Sequence, residues 1–254
     1  MEGLIFRQWG VRHTLPITGP FAIMISPRSC MISVWFVQRQ RKRMQALVLL
    51  SILLVGTKGL MKKGYGFSLH FVNKTDAQGF LATMIVRIVL DTCMNVTEAV
   101  ACIEQLPHAW CYNFAIRDEA GERAILEASP EKVYVRSDDR CTNHFHTMTQ
   151  KNRTILGSSI QRYNAMDQLE HLSLKQVMKS FIEEESPWFS KEYDEYFGTL
   201  HTFAYDFEQK NIYFSIPGEK TPFQLNWPTW VQGERLTISE LIGELPGFRE
   251  SRGK

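Results

Sequence analysis

The 254-residue sequence lacks the features that mark several classes of protein. It has no excess of charge of one sign, because 29 basic residues stand against 27 acidic ones and the net charge is +2. This balance gives no field suited to nucleic acid or to an anionic membrane surface, so neither partner is expected. Cysteine is scarce and odd in number, at five, without the close pairs of a metal site. That excludes a disulfide scaffold and favours reduced thiols in a cytoplasmic protein.

The sequence also lacks an apolar run of membrane-spanning length. An apolar stretch at 46–55 follows a basic cluster at 39–43, as in a signal segment. The stretch is about half as long as a spanning helix, lies well inside the chain and has no cleavage site after it. We therefore expect no membrane association. The remaining composition, with 44% hydrophobic and 22% charged residues, is that of an ordinary globular protein.

From about residue 64 the sequence alternates between strand-like and helix-like patterns. Strands are predicted at 65–72, 112–117, 124–127, 132–136, 200–205 and 212–216, and helices at 80–93, 95–103, 164–170 and 174–183. Two helix starts carry capping signals, Asn95 with Glu98 and Ser173 with Gln176. Helices set apart from antiparallel strands indicate an α+β fold or a layered sandwich rather than a doubly wound parallel sheet. Residues 24–63 show no stable period, and no element is predicted there.

An ordered set of short segments supports a resemblance to a known family. In chain order these are Arg87–Cys93, Glu98–Ala99, Leu106–Asn113, Glu127–Pro130, Thr142–Phe145, Gly157–Arg162 and Glu195–Thr202. The set resembles the cysteine N-terminal-nucleophile hydrolases, which include choloylglycine hydrolases (bile-salt and penicillin V amidases) and acyl-coenzyme A:6-aminopenicillanic acid acyltransferases. The acyltransferase-like branch, peptidase C45, fits best, over roughly residues 64–216.

The resemblance implies a four-layer αββα sandwich with two antiparallel sheets between helical layers. It also implies that a cysteine at a new N-terminus attacks a linear amide and uses its own α-amino group as the base. The product of the attack would be a thioester acyl-enzyme, released to water or to an amine. The expected substrate is a small acyl amide, with acyl-coenzyme A as an option in an acyltransferase, and neither a metal nor an organic cofactor is needed. A homo-oligomer and self-processing are both left open.

Three positions of this sequence take site roles from the resemblance. Asn143 matches the asparagine whose side chain holds the oxyanion. Arg162 matches the late arginine, which supports the thiol or the product carboxylate. His70 falls where bile-salt hydrolases carry an asparagine and is assigned to substrate binding. Taken alone, Asn143 would read as a turn residue and Arg162 as part of a solvated helix face.

The family's nucleophilic cysteine and its Arg-Asn-Tyr-Asp stretch are absent. Cys30 has the wrong neighbours and lies too late in the chain to be the nucleophile. Codons can be chosen for residues 21–32 such that the same DNA, read in a shifted frame, encodes Arg-Asn-Tyr-Asp. The same shift applied to codons for residues 55–63 gives Asn-Glu-Lys immediately before Gly64. We infer that residues from about 22 to 62 are translated out of frame. The chain then divides into an aberrant segment, 1–63, and a hydrolase-like domain, 64–254.

Two rival interpretations remain, an inactive pseudoenzyme and a membrane-anchored binding module. Without a recognisable nucleophile the chain could be an inactive pseudoenzyme, because loss of the nucleophile leaves only binding and oxyanion stabilisation. Cys141, His144 and His146 have donor atoms that zinc accepts, and the two histidines would share one strand face. Three donors without a fourth are weak grounds for a metal, so no metal site is predicted.

Overall fold

The computed structural model describes residues 22–26, 30–37, 65–193, 197–235 and 243–244. The apolar stretch at 46–55 and the downstream frame border at 55–63 lie outside these residues. The division of the chain at residue 63 therefore stays a prediction.

The smaller sheet is built from strands that follow one another along the chain. Its order is β3–β4–β5–β6, all antiparallel, with the strands at Tyr65–Asn73, Cys111–Asp118, Arg123–Ala128 and Val133–Arg136. The turn between β4 and β5 contains Gly121 at φ 89°, a left-handed conformation that glycine adopts without strain. Strand β4 is buried along its whole length, so both faces of this sheet are covered.

The larger sheet gathers strands from distant parts of the chain. Its order is β11–β10–β9–β2–β1–β7, and the short β8 pairs with β9. The strands lie at Ala22–Ser26 (β1), Cys30–Val37 (β2), Arg140–Cys141 (β7), Lys191–Glu192 (β8), Phe197–Asp206 (β9), Asn211–Ser215 (β10) and Phe223–Asn226 (β11). All pairings in this sheet are antiparallel. No strand was predicted at β1, β2 or β11.

Five α-helices lie among the described residues. They are Ala82–Thr92 (α1), Val96–Gln105 (α2), Ser159–Ala165 (α3), Leu174–Ile182 (α4) and Trp227–Val231 (α5). Both predicted helix starts are confirmed: Asn95 accepts a hydrogen bond from the Glu98 amide, and Ser173 and Gln176 form a full capping box. The helix predicted at 164–170 instead starts at Ser159 and continues as a 3₁₀ turn, Met166–Leu169.

The contacts between helices and strands define the layers of the fold. Helices α1 and α2 pack on β3, β4 and β5, whereas α4 packs on β2 and β9 of the other sheet. One apolar core joins both sheets, with Phe114 from β4 and Phe203 and Tyr205 from β9. The predicted α+β four-layer arrangement is confirmed. No helix in the described part of the chain is long and apolar enough to cross a membrane.

Candidate active site

Asn143 lies in the loop directly after β7, in which Thr142–Phe145 are buried and His146 and Thr147 are exposed. This loop, Thr142–Met148, is called the Asn143 loop below. The backbone amide of Asn143 donates to Ser159 Oγ at 2.8 Å, and its side-chain Nδ2 donates to the Phe71 carbonyl at 2.9 Å. None of its surface is exposed. Its amide group is therefore fixed in direction rather than placed in an exposed turn.

Arg162 reaches the same position from α3. Its guanidinium donates through one terminal nitrogen to Asn143 Oδ1 at 3.3 Å and through Nε to Ser158 Oγ at 3.1 Å. The residue is 2% exposed, so a solvated helix face is the wrong interpretation. Burial, reinforced by the positive charge of Arg153, lowers the pKa of Arg162 to about 9. The structure thus brings together two of the three predicted site residues.

His70 lies on β3, one residue before Phe71, whose backbone carbonyl accepts the hydrogen bond from the Asn143 side chain. It is fully buried on β3, opposite Asn113 of β4 in the register. Its Nε2 lies 3.4 Å from Ser68 Oγ. The backbone of β3 therefore links the His70 position to Asn143, and a contact between His70 and substrate stays a prediction.

Asn113 and Ser159 hold the Asn143 loop from two sides, and neither residue was assigned a role from the sequence. Asn113 Nδ2 donates to the carbonyls of Thr142 and His144, at 2.9 and 2.8 Å, and so grips the peptide on both sides of Asn143. Ser159 Oγ accepts from the Asn143 amide and also contacts His144 Nδ1 at 2.8 Å. Both residues belong to segments that carry the family resemblance, and this resemblance was the sequence signal that could have identified them.

Glu127 anchors the far end of the same loop. Its carboxylate, fully buried on β5, accepts hydrogen bonds from the amides of His146, Thr147 and Met148 at 2.7 to 3.1 Å. The Arg136 guanidinium lies 3.6 Å from the same carboxylate. A buried carboxylate with several charge-assisted donors is a strong anchor, so the loop has little freedom to move.

His144 and His146 lie in the Asn143 loop, which corrects the expectation that they share a strand face. Their ring centroids are 4.5 Å apart, and Tyr163 lies 4.3 Å from His146. Burial, with smaller effects from nearby cationic side chains, lowers the pKa of each histidine to about 4. Both are therefore neutral at pH 7. The described side chains contain no group of three or more metal-binding residues.

A cationic and aromatic edge borders the Asn143–Arg162 pair. The Arg153 guanidinium lies 6.0 Å from the Phe71 ring centroid, and burial lowers its pKa. Phe71 in turn meets Trp110 edge to face at 5.9 Å. An apolar group with a negative end is complementary to such an edge.

Four cysteine side chains are described, and all four are thiols outside any disulfide: Cys93, Cys102, Cys111 and Cys141. Cys141 lies two residues before Asn143, but burial raises the pKa of its thiol well above the usual range. A nucleophile acts as the thiolate, so Cys141 has the properties of a structural thiol. The side chain of Cys30 lies outside the described residues.

Comparisons with known proteins identify one matching family and several similar solved structures. Residues 51–221, about two thirds of the chain, match the family model of acyl-coenzyme A:6-aminopenicillanic acid acyl-transferase. Among solved structures, penicillin V acylase from Agrobacterium tumefaciens is similar at 12% identity and a TM-score of 0.46, over 82% of this chain and 86% of that chain. A variant of conjugated bile acid hydrolase from Clostridium perfringens is similar at 11% identity and a TM-score of 0.43, over 85% and 87%. No curated protein sequence matches the chain.

Proposed function

The chain belongs to the acyl-coenzyme A:6-aminopenicillanic acid acyl-transferase family, and from that membership we propose that it cleaves or transfers the acyl group of linear amides through a cysteine thiolate. Its substrates on this proposal are small acyl amides, with acyl-coenzyme A as the donor in an acyl-transfer version.

The observation that carries the proposal is the fixed amide of Asn143. The side-chain nitrogen has two hydrogens, and one of them binds the Phe71 carbonyl. The second can be donated to a negatively charged oxygen. Arg162, bound to the oxygen of the same amide, polarises the group and makes the nitrogen a better donor. A preorganised donor of this kind stabilises the oxyanion of a tetrahedral intermediate.

The proposed reaction has two steps, acylation of the thiol and release of the acyl group. The thiolate forms a bond to the amide carbonyl carbon, the carbonyl oxygen takes up the negative charge, and collapse breaks the carbon–nitrogen bond. The α-amino group, which took the proton of the thiol when the thiolate formed, passes that proton to the leaving amine, and a thioester remains. Water or a second amine then attacks the thioester and frees the thiol.

Arg162 and Arg153 make this end of the molecule cationic. Each lies beside groups that fix the Asn143 amide, Arg162 on its oxygen and Arg153 over the Phe71 ring. A carboxylate formed by hydrolysis would be attracted to these two charges. His70 is proposed to contact the substrate from β3.

The Arg-Asn-Tyr-Asp stretch is proposed to be hidden in the shifted frame, whereas the nucleophilic cysteine is not identified in this chain. The four described cysteines do not present an activated thiolate beside Asn143, and residues from about 22 to 62 are proposed to be translated out of frame. The encoding DNA tests this directly. If the codons of Phe21–Ile25 do not permit Arg-Asn-Tyr-Asp in the shifted frame, the frame proposal fails.

The activity is tested on purified protein with a panel of acyl amides, with and without prior thiol alkylation. Turnover that alkylation abolishes is expected, and Asn143→Ala should lower kcat by 10²-fold or more. Asn95→Ala, which removes a helix cap on the other side of the smaller sheet, is the matched control and should retain activity. A folded chain without turnover on any amide overturns the proposal and favours the inactive pseudoenzyme.

A further inference from the structure

We propose that Ser159 is a positioning residue for Asn143, a role that rests on the proposed function. Its hydroxyl group ties the first turn of α3 to the backbone of Asn143 and so fixes the direction in which the Asn143 side chain donates. Ser159 does not touch the substrate on this proposal, because it acts through Asn143.

Asn143 is held from outside its own loop at three of its atoms. Its backbone amide donates to Ser159 Oγ at 2.8 Å, and its side-chain Nδ2 donates to the Phe71 carbonyl at 2.9 Å. Its Oδ1 accepts from the Arg162 guanidinium at 3.3 Å. The second hydrogen on Nδ2 is the one proposed for the oxyanion, and its direction depends on all three contacts.

Two of these contacts come from a single turn of one helix. Ser159 is the first residue of α3 and Arg162 follows three positions later, so their side chains lie on the same face. The Ser159 contact is the shorter of the two, at 2.8 Å against 3.3 Å. Hydrogen bonds weaken as donor and acceptor separate, so Ser159 makes the tighter of these two links between α3 and Asn143.

The Ser159 hydroxyl also has a partner on its other side. Its oxygen lies 2.8 Å from His144 Nδ1, and Thr142 Oγ1 lies 3.1 Å from the same nitrogen. Because the Ser159 oxygen already accepts from the Asn143 amide, its own hydrogen is available for His144. Burial lowers the pKa of His144 to about 4, so at pH 7 the ring is neutral and one of its nitrogens can accept. The hydroxyl is therefore held in one orientation between two residues of the Asn143 loop.

Loss of the hydroxyl should disturb the direction of the Asn143 amide without removing it. Ser159 and Asn143 are both fully buried. Without Ser159 Oγ the Asn143 backbone amide loses its acceptor, and the longer Arg162 contact has to hold Asn143 against α3. A displacement of about 1 Å in a reacting geometry can cost about 10²-fold in rate. The effect should be smaller than that of Asn143→Ala, because the donor is still present.

The kinetic test uses the whole chain and an acyl amide that the unsubstituted protein turns over. Ser159→Ala should lower kcat about 10-fold and leave KM within about twofold, since Ser159 does not bind substrate. Ser159→Thr keeps the hydroxyl and should recover most of the lost kcat. Ser180→Ala is the matched control, because it removes a serine hydroxyl that donates to the Gln176 carbonyl within α4. It should leave kcat and KM unchanged.

A second measurement needs no turnover. In protein labelled with nitrogen-15, the side-chain NH2 signals of Asn143 are assigned by their loss in Asn143→Ala. These signals should shift in Ser159→Ala and stay in place in Ser180→Ala. In the unsubstituted protein the backbone amide of Asn143 should exchange slowly with deuterium, because it donates to Ser159 in a buried position.

The outcomes separate this role from the proposed function. If the unsubstituted protein is active and Ser159→Ala keeps its kcat, the positioning role is overturned and the proposed function stands. If the unsubstituted protein has no turnover, the proposed function fails. Asn143 signals that stay in place in Ser159→Ala then overturn the positioning role too, whereas shifted signals support the tie to α3. Rapid exchange of the Asn143 backbone amide in the unsubstituted protein also overturns it, and that result does not depend on any variant folding.

Discussion

Opposite kinds of interaction hold the outer helical layer and the Asn143 loop against the smaller sheet. Helices α1 and α2 present apolar side chains to the smaller sheet, among them Ile85, Val89 and Ile103, none of which is exposed. The Asn143 loop is held instead by hydrogen bonds from Asn113, Glu127 and other polar residues.

The difference shows how each region can tolerate change. Apolar contacts have no direction, so a core position accepts another side chain of similar volume at modest cost. A buried hydrogen bond has a fixed geometry, and removal of one partner leaves the other unsatisfied. The same rigidity makes the Asn143 amide a fixed dipole, so the hydrogen bonds that stabilise the loop also serve the oxyanion role proposed for Asn143.

Glu127→Ala should give the largest loss of stability, about 4 kcal/mol in the free energy of unfolding. The substitution leaves three backbone amides, those of His146, Thr147 and Met148, without their acceptor, and removes one of the two carboxylates beside Arg136, the other being Asp138 at 2.9 Å. Urea unfolding followed by circular dichroism measures the change.

Two further variants sharpen the comparison. Glu127→Gln keeps the shape and one acceptor oxygen, so about half of the loss should be recovered. Ile103→Ala removes a fully buried apolar side chain from the helical layer and should cost about 3 kcal/mol. If Glu127→Ala lowers the free energy of unfolding less than Ile103→Ala does, the hydrogen bonds to Glu127 stabilise the protein less than the apolar packing of Ile103 does.

Elements set by nearby residues could be predicted from the sequence. The smaller sheet consists of consecutive strands, and the starts of α2 and α4 depend on residues three positions apart. The larger sheet could not be derived in the same way. Its central contact pairs β2 with β9, which are far apart in the chain, and local patterns carry no record of that pairing.

In the candidate site, too, features marked by local sequence were predicted and those that depend on distant residues were not. Asn143 and Arg162 were found because short motifs surround them, and the structure joins them by a hydrogen bond. The roles of Asn113 and Glu127 were missed, because each acts on backbone groups about 20 to 30 residues away. A polar residue inside an apolar strand was the only local sign of either role.

Acid should destabilise the Asn143 loop more than the helical layer. Burial lowers the pKa of His144 to about 4, below the ordinary value near 6.5. The unfolded chain then binds a proton more readily than the folded one, so this stability is complete above pH 6.5 and is lost as the pH falls towards 4. The loss by pH 5 is up to about 2 kcal/mol.

The pH effect is measured as the midpoint of urea unfolding between pH 7 and pH 5. His144→Asn keeps a polar side chain without a titrating ring, and its stability should fall less steeply over that range. An unchanged slope in this variant would assign the acid sensitivity to other groups, such as His201, whose pKa burial lowers to about 3.

Asn95→Ala should give the smallest effect, about 1 kcal/mol in the free energy of unfolding. The Asn95 side chain caps α2 by accepting from the Glu98 amide at 2.9 Å, and both residues are exposed. Water can replace the lost acceptor there, whereas the Glu127 carboxylate, which accepts from three amides, is itself fully buried. Asn95→Ser keeps a capping oxygen and should restore most of the stability, again by urea unfolding. A loss from Asn95→Ala as large as that from Glu127→Ala would contradict the comparison, since exposed and buried hydrogen bonds would then contribute equally.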